Sequence, residues 1–306
     1  MTTPAAERLT RPVLVFGGTG QVGRELVTTL DELGTVSAPG RTAVDLTRTS
    51  ALREIIRTTK PALIINSAAL TNVDQAERDP ELARALNETA PGVMAEEASR
   101  AGALLVHYST DYVFDGRATT PYEETDAPNP INVYGVSKLG GERQVARVGT
   151  PHLVIRTSWV YSRTGAGFVA TFLRNAREDE TIRVVSDQVG SPTWSRSLAR
   201  ATTAIVRSLR SGIGFHLPES DWGVYHLGGS GAASRLEIAR EILEILAPER
   251  ADGAPTIVPV SAAEFAAVAP RPGYSALANT RTERRFGVTL PPWREELARM
   301  LGDAVD

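Results

Sequence analysis

Apolar positions along this chain alternate between short unbroken runs and one-sided stripes. Val13-Leu-Val-Phe16 is a β-rich run that stops at a glycine-rich turn, after which Val22, Leu26, Val27 and Leu30 recur at helical spacing. A brief strand is predicted over Thr35–Ala38, a helix with Leu52, Ile55 and Ile56 on one side, and a strand over Ala62–Asn66. Asp79-Pro80 predicts the cap and first turn of a long helix to about Ala101, with Leu82, Leu86 and Met94 inward. A strand over Ala103–Tyr108, a helix from Pro130 to about Val148 and a strand over Leu153–Arg156 continue the rhythm.

Strands alternating with helices of this length predict right-handed crossovers and an α/β fold with a doubly wound, Rossmann-like parallel sheet. From about Trp159 the rhythm loosens into short apolar runs, glycines and prolines, with helices near Ser197–Leu209 and Ser234–Leu246. The expected division is a mainly NAD(P)-binding part over residues 1–158 and a smaller α+β substrate lobe over 159–306. The two are expected to form one compact unit that can exchange strands or helices, with the substrate in the cleft between them.

Composition narrows the partners. A net charge of −3 without a basic run argues against nucleic acid. No apolar run reaches membrane-spanning length, and Met1–Arg8, lacking the apolar core of a secretory signal, is expected to be a short frayed arm. A cytoplasmic location follows from that missing signal. With no cysteine, disulfides, thiolate metal sites and cysteine nucleophiles are excluded.

The candidate chemistry sits at the ends of the predicted strands. Gly17-Gly-Thr19-Gly20-Gln21-Val22-Gly23 fits a turn whose backbone approaches a pyrophosphate on a helix N-terminus, although an ordinary tight turn has the same form. After the second strand no carboxylate appears before Asp45, so Arg41 is a candidate clamp for a 2′-phosphate, the alternative being a solvated loop arginine. Asp45-Leu46 is a second candidate, under the adenine. Asn66-Ser67-Ala68-Ala69-Leu70 and Ser109-Thr110-Asp111-Tyr112 close the next two strands at the same sheet edge. Tyr134 and Lys138 stand one helical turn apart, where an ammonium is expected to lower the phenol's pKa and ready it for carbonyl–alcohol proton transfer. Taken alone, most such pairs are simply an amphipathic helix edge.

In order, the glycine turn, Asn66-x-Ala-Ala69, Ser109-Thr-Asp-Tyr-Val-Phe114, Val133-Tyr-Gly-Val-Ser-Lys138 and Arg156-Thr-Ser-Trp-Val-Tyr161 resemble the extended short-chain dehydrogenase/reductase superfamily. Val185-Ser-Asp-Gln-Val-Gly-Ser-Pro-Thr193, Val224-Tyr-His226, Arg271-Pro-Gly-Tyr-Ser275 and Leu290-Pro-Pro-Trp293 extend the likeness to the dTDP-4-dehydrorhamnose reductase family, from about Pro12 to Ala298. The resemblance implies reduction of the C4 keto group of a dTDP-sugar, with Tyr134 as proton donor, Lys138 on the nicotinamide ribose and Thr110 on the substrate carbonyl. It implies cofactor contacts by Gly17, Thr19, Gly20, Gln21, Val22, Gly23, Asp45, Leu46, Ala68, Ala69 and Leu70. Val73, Asp111, Tyr112 and Trp159 are then expected at the sugar, with Gln188 and Arg271 toward the diphosphate. NADPH is the favoured cofactor, with NADH the alternative. Mg²⁺ and a homodimer are features of some family members for which the residue pattern alone identifies no ligand set or interface.

The chain departs from the family pattern at Ser67 and Leu70, where Leu70 removes a polar or aromatic group beside the nicotinamide or sugar. Lys-Leu-Gly-Gly-Glu142 replaces the commoner Lys-Leu-Ala-Gly-Glu. The first functional expectation is reduction of dTDP-4-dehydro-β-L-rhamnose. The alternatives are a 4-ketoreductase for another dTDP-deoxysugar and, from a different class, a non-catalytic nucleotide-binding regulatory subunit. His107, His152, His216 and His226 lack metal-ligand spacing and are expected to be structural or surface residues.

Overall fold

The computed structural model describes residues 8–247, 254–265 and 267–303, so the predicted arm lies outside the described residues except for Arg8. The first half runs β1 (Val13–Phe16), α1 (Gln21–Leu30), β2 (Val36–Ser37), α2 (Thr49–Thr59), β3 (Leu63–Asn66), α3 (Val73–Arg78), α4 (Pro80–Arg84), α5 (Ala90–Ala101), β4 (Leu104–Thr110), α6 (Val133–Val148) and β5 (His152–Thr157). The second continues through β6 (Val160–Tyr161), α7 (Phe168–Glu178), β7 (Thr181–Val185), β8 (Val189–Gly190), β9 (Thr193–Trp194) and α8 (Ser195–Ser208). A small hairpin follows, β10 (Arg210–Ser211) with β11 (Gly214–Phe215), then β12 (Gly223–His226), β13 (Ala233–Ser234) and α9 (Arg235–Leu246). The chain closes with β14 (Thr256–Val260), α10 (Ala262–Phe265), α11 (Thr280–Phe286) and α12 (Trp293–Gly302).

Six parallel strands form the central sheet in the order β2-β1-β3-β4-β5-β12. Helices cover both faces, which is why its strands read as unbroken apolar runs. Within β1, Val13 and Val15 enter one core with Leu26 and Leu30 of α1 and Leu198 of α8. Leu14 and Phe16 enter the other, with Leu52 and Ile56 of α2 and Met94 of α5. The sheet does not end with the first half of the chain: β12 supplies its outer strand and α8 covers part of one face. A third core, with Phe172, Trp194, Ile242, Trp293 and Leu297, holds the second half together.

Strand order reverses between β1 and β3, so a crevice opens beyond their carboxyl ends, where ligands of such sheets sit. The long helix predicted after Asp79 is interrupted. Asp79 Oδ1 does accept from the Leu82 amide at 3.0 Å, but residues Ala85–Thr89 form a π turn between α4 and α5. Pro91 lacks the N–H that would bond the Asn87 carbonyl four residues earlier, and the helix relaxes around that gap. Leu86 and Met94 are buried as expected, whereas Leu82 is only half-buried.

Candidate active site

The glycine turn passes tightly against the end of β3. Gly17 has φ +83°, and a Cβ there would lie 2.6 Å from the Ala68 amide nitrogen, while one on Gly23 would strike the Gly17 carbonyl. No side chain caps α1, so its first amides remain open to an anion. Thr19 and Gly20 are exposed at the rim, and Gln21, Val22, Ala68 and Ala69 are half-buried around it. The Gln21 carbonyl oxygen accepts from Ser162 Oγ at 2.7 Å, tying the turn to the second half of the chain.

Beyond β2, Arg41 is exposed and close enough to Asp45 to help lower that carboxyl's pKa, mainly set by hydrogen bonds from Thr47. Asp45 Oδ1 accepts from the Thr47 amide (3.0 Å) and hydroxyl (2.8 Å), so this carboxylate faces its own loop. Leu46 is half-buried against the packed helices rather than free. Leu70 is 8% exposed and belongs to a cluster with Leu86 against which Val133 and Tyr134 pack. Its amide donates to Asn87 Oδ1 (2.8 Å) and its carbonyl accepts from Asn87 Nδ2 (3.1 Å), which also donates to Ser137 Oγ (3.0 Å). Asn87, in the π turn, therefore clamps the β3 loop to the helix that carries Tyr134.

That helix, α6, is placed at its first turn. Asn132 Oδ1 accepts from the Gly135 amide (2.8 Å) while its Nδ2 donates to the Pro270 carbonyl (2.9 Å), and Glu77 accepts from the Val133 amide (2.8 Å). Val73, at the start of α3, is half-buried nearby. Tyr134 meets Tyr112 edge-on, ring centroids 5.7 Å apart. Thr110, the last residue of β4, acts on the Tyr134 phenol as a hydrogen-bond partner. The predicted lowering of the Tyr134 pKa is not found. Burial dominates and pushes it well above the ordinary value, and the Thr110 hydroxyl only partly opposes this. Lys138 is itself buried, and its Nζ donates to the Tyr108 carbonyl at 2.6 Å.

Burial lowers the Lys138 pKa from 10.5 to about 8, against the pull of Glu142. Between those two values the unfolded chain holds a proton that the folded chain has released. Stability from this residue therefore rises with pH from about 8 toward 10.5. Denaturation midpoints across that range are expected to lose this component of the slope in Lys138→Met. An unchanged slope would refute the assignment.

Asp111 is buried beside Thr110. It points into the interior, where its oxygens accept from Thr110 Oγ1 (3.1 Å), Ser158 Oγ (3.0 Å) and Ser275 Oγ (2.5 Å). Burial raises its pKa to about 6 against those three hydroxyls. Thr110 Oγ1 also accepts from the Tyr112 amide at 3.2 Å, so its hydroxyl is oriented from both sides.

Trp159, Tyr112 and Arg235 form the wall toward the second half. Trp159 holds a left-handed φ of +44°, unusual for a bulky side chain, and its indole fills the space in front of Gly190. A Cβ on Gly190 would lie 2.5 Å from the ring. Gly190→Ala is therefore expected to cost about 1–3 kcal/mol through overpacking, read as a lower denaturation midpoint; an unshifted midpoint would show that the indole moves freely. The Arg235 guanidinium lies 4.3 Å from the Trp159 ring centroid and 5.1 Å from that of Phe168. Arg271 donates to Asp74 Oδ1 (3.1 Å) and the Ala269 carbonyl (2.9 Å). Gln188 is buried, and Asp187 is engaged by the Ala262 amide.

The family model for the RmlD substrate binding domain matches residues 11–305. The chain is 42% identical to dTDP-4-dehydrorhamnose reductase of Burkholderia thailandensis, over 92% of this chain and 95% of the relative. The chain belongs to the dTDP-4-dehydrorhamnose reductase family. The Salmonella typhimurium reductase is 39% identical over 94% of this chain and 96% of its own. The crystal structure of the Bacillus anthracis dTDP-4-dehydrorhamnose reductase in complex with NADP superposes with a TM-score of 0.86 at 34% identity, covering 96% of this chain and 99% of the other.

In this dTDP-4-dehydrorhamnose reductase family member, sequence reasoning missed three residues of the site: Asn87, Glu142 and Arg235. Asn87 had a signal, a polar residue on the inward face of a helix four positions before a proline. Glu142 stands one turn beyond Lys138, the spacing of a residue that shares its face. Arg235 had none, because its neighbours Trp159 and Phe168 are more than sixty residues away. His107, His152 and His226 are buried with pKa values pushed down by desolvation, in keeping with structural roles. Among the described residues no three His, Cys, Asp or Glu gather as metal ligands, and no helix is long and apolar enough to cross a membrane.

Proposed function

We propose that the chain reduces the C4 keto group of dTDP-4-dehydro-β-L-rhamnose to give dTDP-β-L-rhamnose, using NADPH in preference to NADH. The convergence of Thr110, Tyr134 and Lys138 beside the crevice at the strand reversal carries this reading. The residues present suit a dinucleotide: Gly17 and Gly23 leave a cradle that a Cβ would fill, and the uncapped start of α1 suits a phosphate. Exposed Arg41, with Asp45 turned to Thr47, suits a 2′-phosphate, and the Bacillus anthracis relative was solved with NADP.

When bound, the reduced nicotinamide supplies the hydride for C4. Tyr134 gives its proton to the carbonyl oxygen, and its raised pKa keeps that proton in place until negative charge develops there. Thr110 orients the carbonyl by turning its single proton from Asp111 to the substrate oxygen. Lys138, one helical turn from Tyr134 with its ammonium on the Tyr108 carbonyl, would hold the nicotinamide ribose, and water reprotonates the tyrosinate left after transfer.

Mixing purified protein with NADPH, dTDP-4-keto-6-deoxyhexose and its epimerase should consume the reduced cofactor and yield dTDP-rhamnose. Cofactor binding without oxidation would favour a regulatory subunit. Oxidation with a different product sugar would assign the chain to another dTDP-deoxysugar.

A further inference from the structure

Arg235 opens α9, and its guanidinium packs on two aromatic rings, Trp159 and Phe168. The same three residues line a cavity of about 160 Å³, together with Tyr161, Gly167 and Ile238. A guanidinium packed on aromatic rings hydrogen-bonds through its edge N–H groups, and they lie in one plane. One edge meets the Tyr112 phenol. Among the described residues, the acid that acts on Arg235 is Asp111, whose oxygens are already taken by Thr110, Ser158 and Ser275.

The neighbouring cation increases this imbalance. Arg271 lies near enough to Arg235 and Tyr112 to act on both electrostatically, and its own partner is Asp74. Two guanidiniums thus flank Tyr112, one paired and one not. Arg235 is half-buried, and an anion in the plane of its free edge would offset both its partial desolvation and the repulsion from Arg271. A dTDP-sugar carries its negative charge in its diphosphate.

We infer that Arg235 is a substrate-binding residue whose free guanidinium edge takes the diphosphate of the nucleotide-sugar, pre-aimed by its packing on Trp159 and Phe168. The inference rests on the proposed substrate class, and it makes Trp159 a platform for the arginine as well as a wall for the sugar.

Calorimetric titration with dTDP tests it, with NADPH titration as a control for the fold. Arg235→Met is expected to weaken dTDP binding about 10- to 100-fold, the usual worth of a charge-assisted hydrogen bond, with NADPH affinity unchanged. Arg235→Lys keeps the charge but loses the planar stacking, so it should fall between Met and wild type. Raising the salt concentration should weaken wild-type binding more than that of Arg235→Met. Equal dTDP affinity in wild type and Arg235→Met would overturn the inference and leave the proposed activity standing. Parallel loss of NADPH affinity would also overturn it, by assigning the arginine to the fold. Wild type that binds NADPH but no dTDP would remove the substrate class itself.

Discussion

Replacing Tyr134 by phenylalanine is expected to lower kcat about 10²- to 10⁴-fold, the range contributed by a positioned general acid. The ring itself is not the active part. It packs edge-on to Tyr112 and against Leu70 and Leu86, and phenylalanine preserves that packing. Only the hydroxyl that meets Thr110 is removed, so NADPH affinity and the denaturation midpoint should stay close to wild type. Because the proton is delivered in the transition state, kcat and kcat/KM should fall together. Steady-state rates beside cofactor titrations make the comparison. Turnover within tenfold of wild type would move the proton donor elsewhere, and Asp111, raised to about 6 and joined to Thr110, would be the first alternative.

Glu142→Ala should give the largest loss of stability among single substitutions in this region, about 3–5 kcal/mol, as expected when a buried arginine loses its counter-ion. Glu142 receives Arg156 Nε (2.9 Å) and Nη2 (2.7 Å), and Ser109 Oγ also donates to it at 2.5 Å. The two ion-pair side chains are only 3% and 5% exposed, so water cannot replace the carboxylate. Glu97 provides the contrast. It gathers Arg53, Arg57 and Arg100, but those arginines are 29%, 57% and 60% exposed and can turn to solvent when it is removed. Urea denaturation of the two alanine variants should therefore show the greater loss for Glu142→Ala. The reverse order would mean that Arg156 finds other partners. Cofactor affinity should weaken as well, because this ion pair and Ser109 join α6, which carries Lys138, to β5 and to the end of β4, which carries Thr110.

Much of this architecture was legible from periodicity. Unbroken runs such as Val13–Phe16 can only be strands covered on both faces, and the stripe of Leu26 and Leu30 has one place to go. Tyr134 and Lys138 were legible as a pair because four residues of helix fix their relation locally. The π turn was not, since apolar spacing looks alike on either side of it and its cause is a missing N–H at Pro91. The sixth strand, Gly223–His226, is four residues long and pairs with residues seventy positions earlier, so nothing in its own pattern identifies its sheet.

By itself, then, the sequence determined the strand–helix order, the glycine turn and the identity of the tyrosine, lysine and threonine, because each depends on neighbours within a turn or on intrinsic side-chain chemistry. Tertiary structure alone decided how those groups are charged and what they touch. Desolvation of Tyr134 and Lys138 comes from the walls that the fold builds around them, and it reversed the expected shift of the phenol. The engagement of Asp111, the pairing of Arg271 with Asp74 and the packing of Arg235 on Trp159 arise where distant segments meet, and for Asp111 burial makes that meeting energetically decisive.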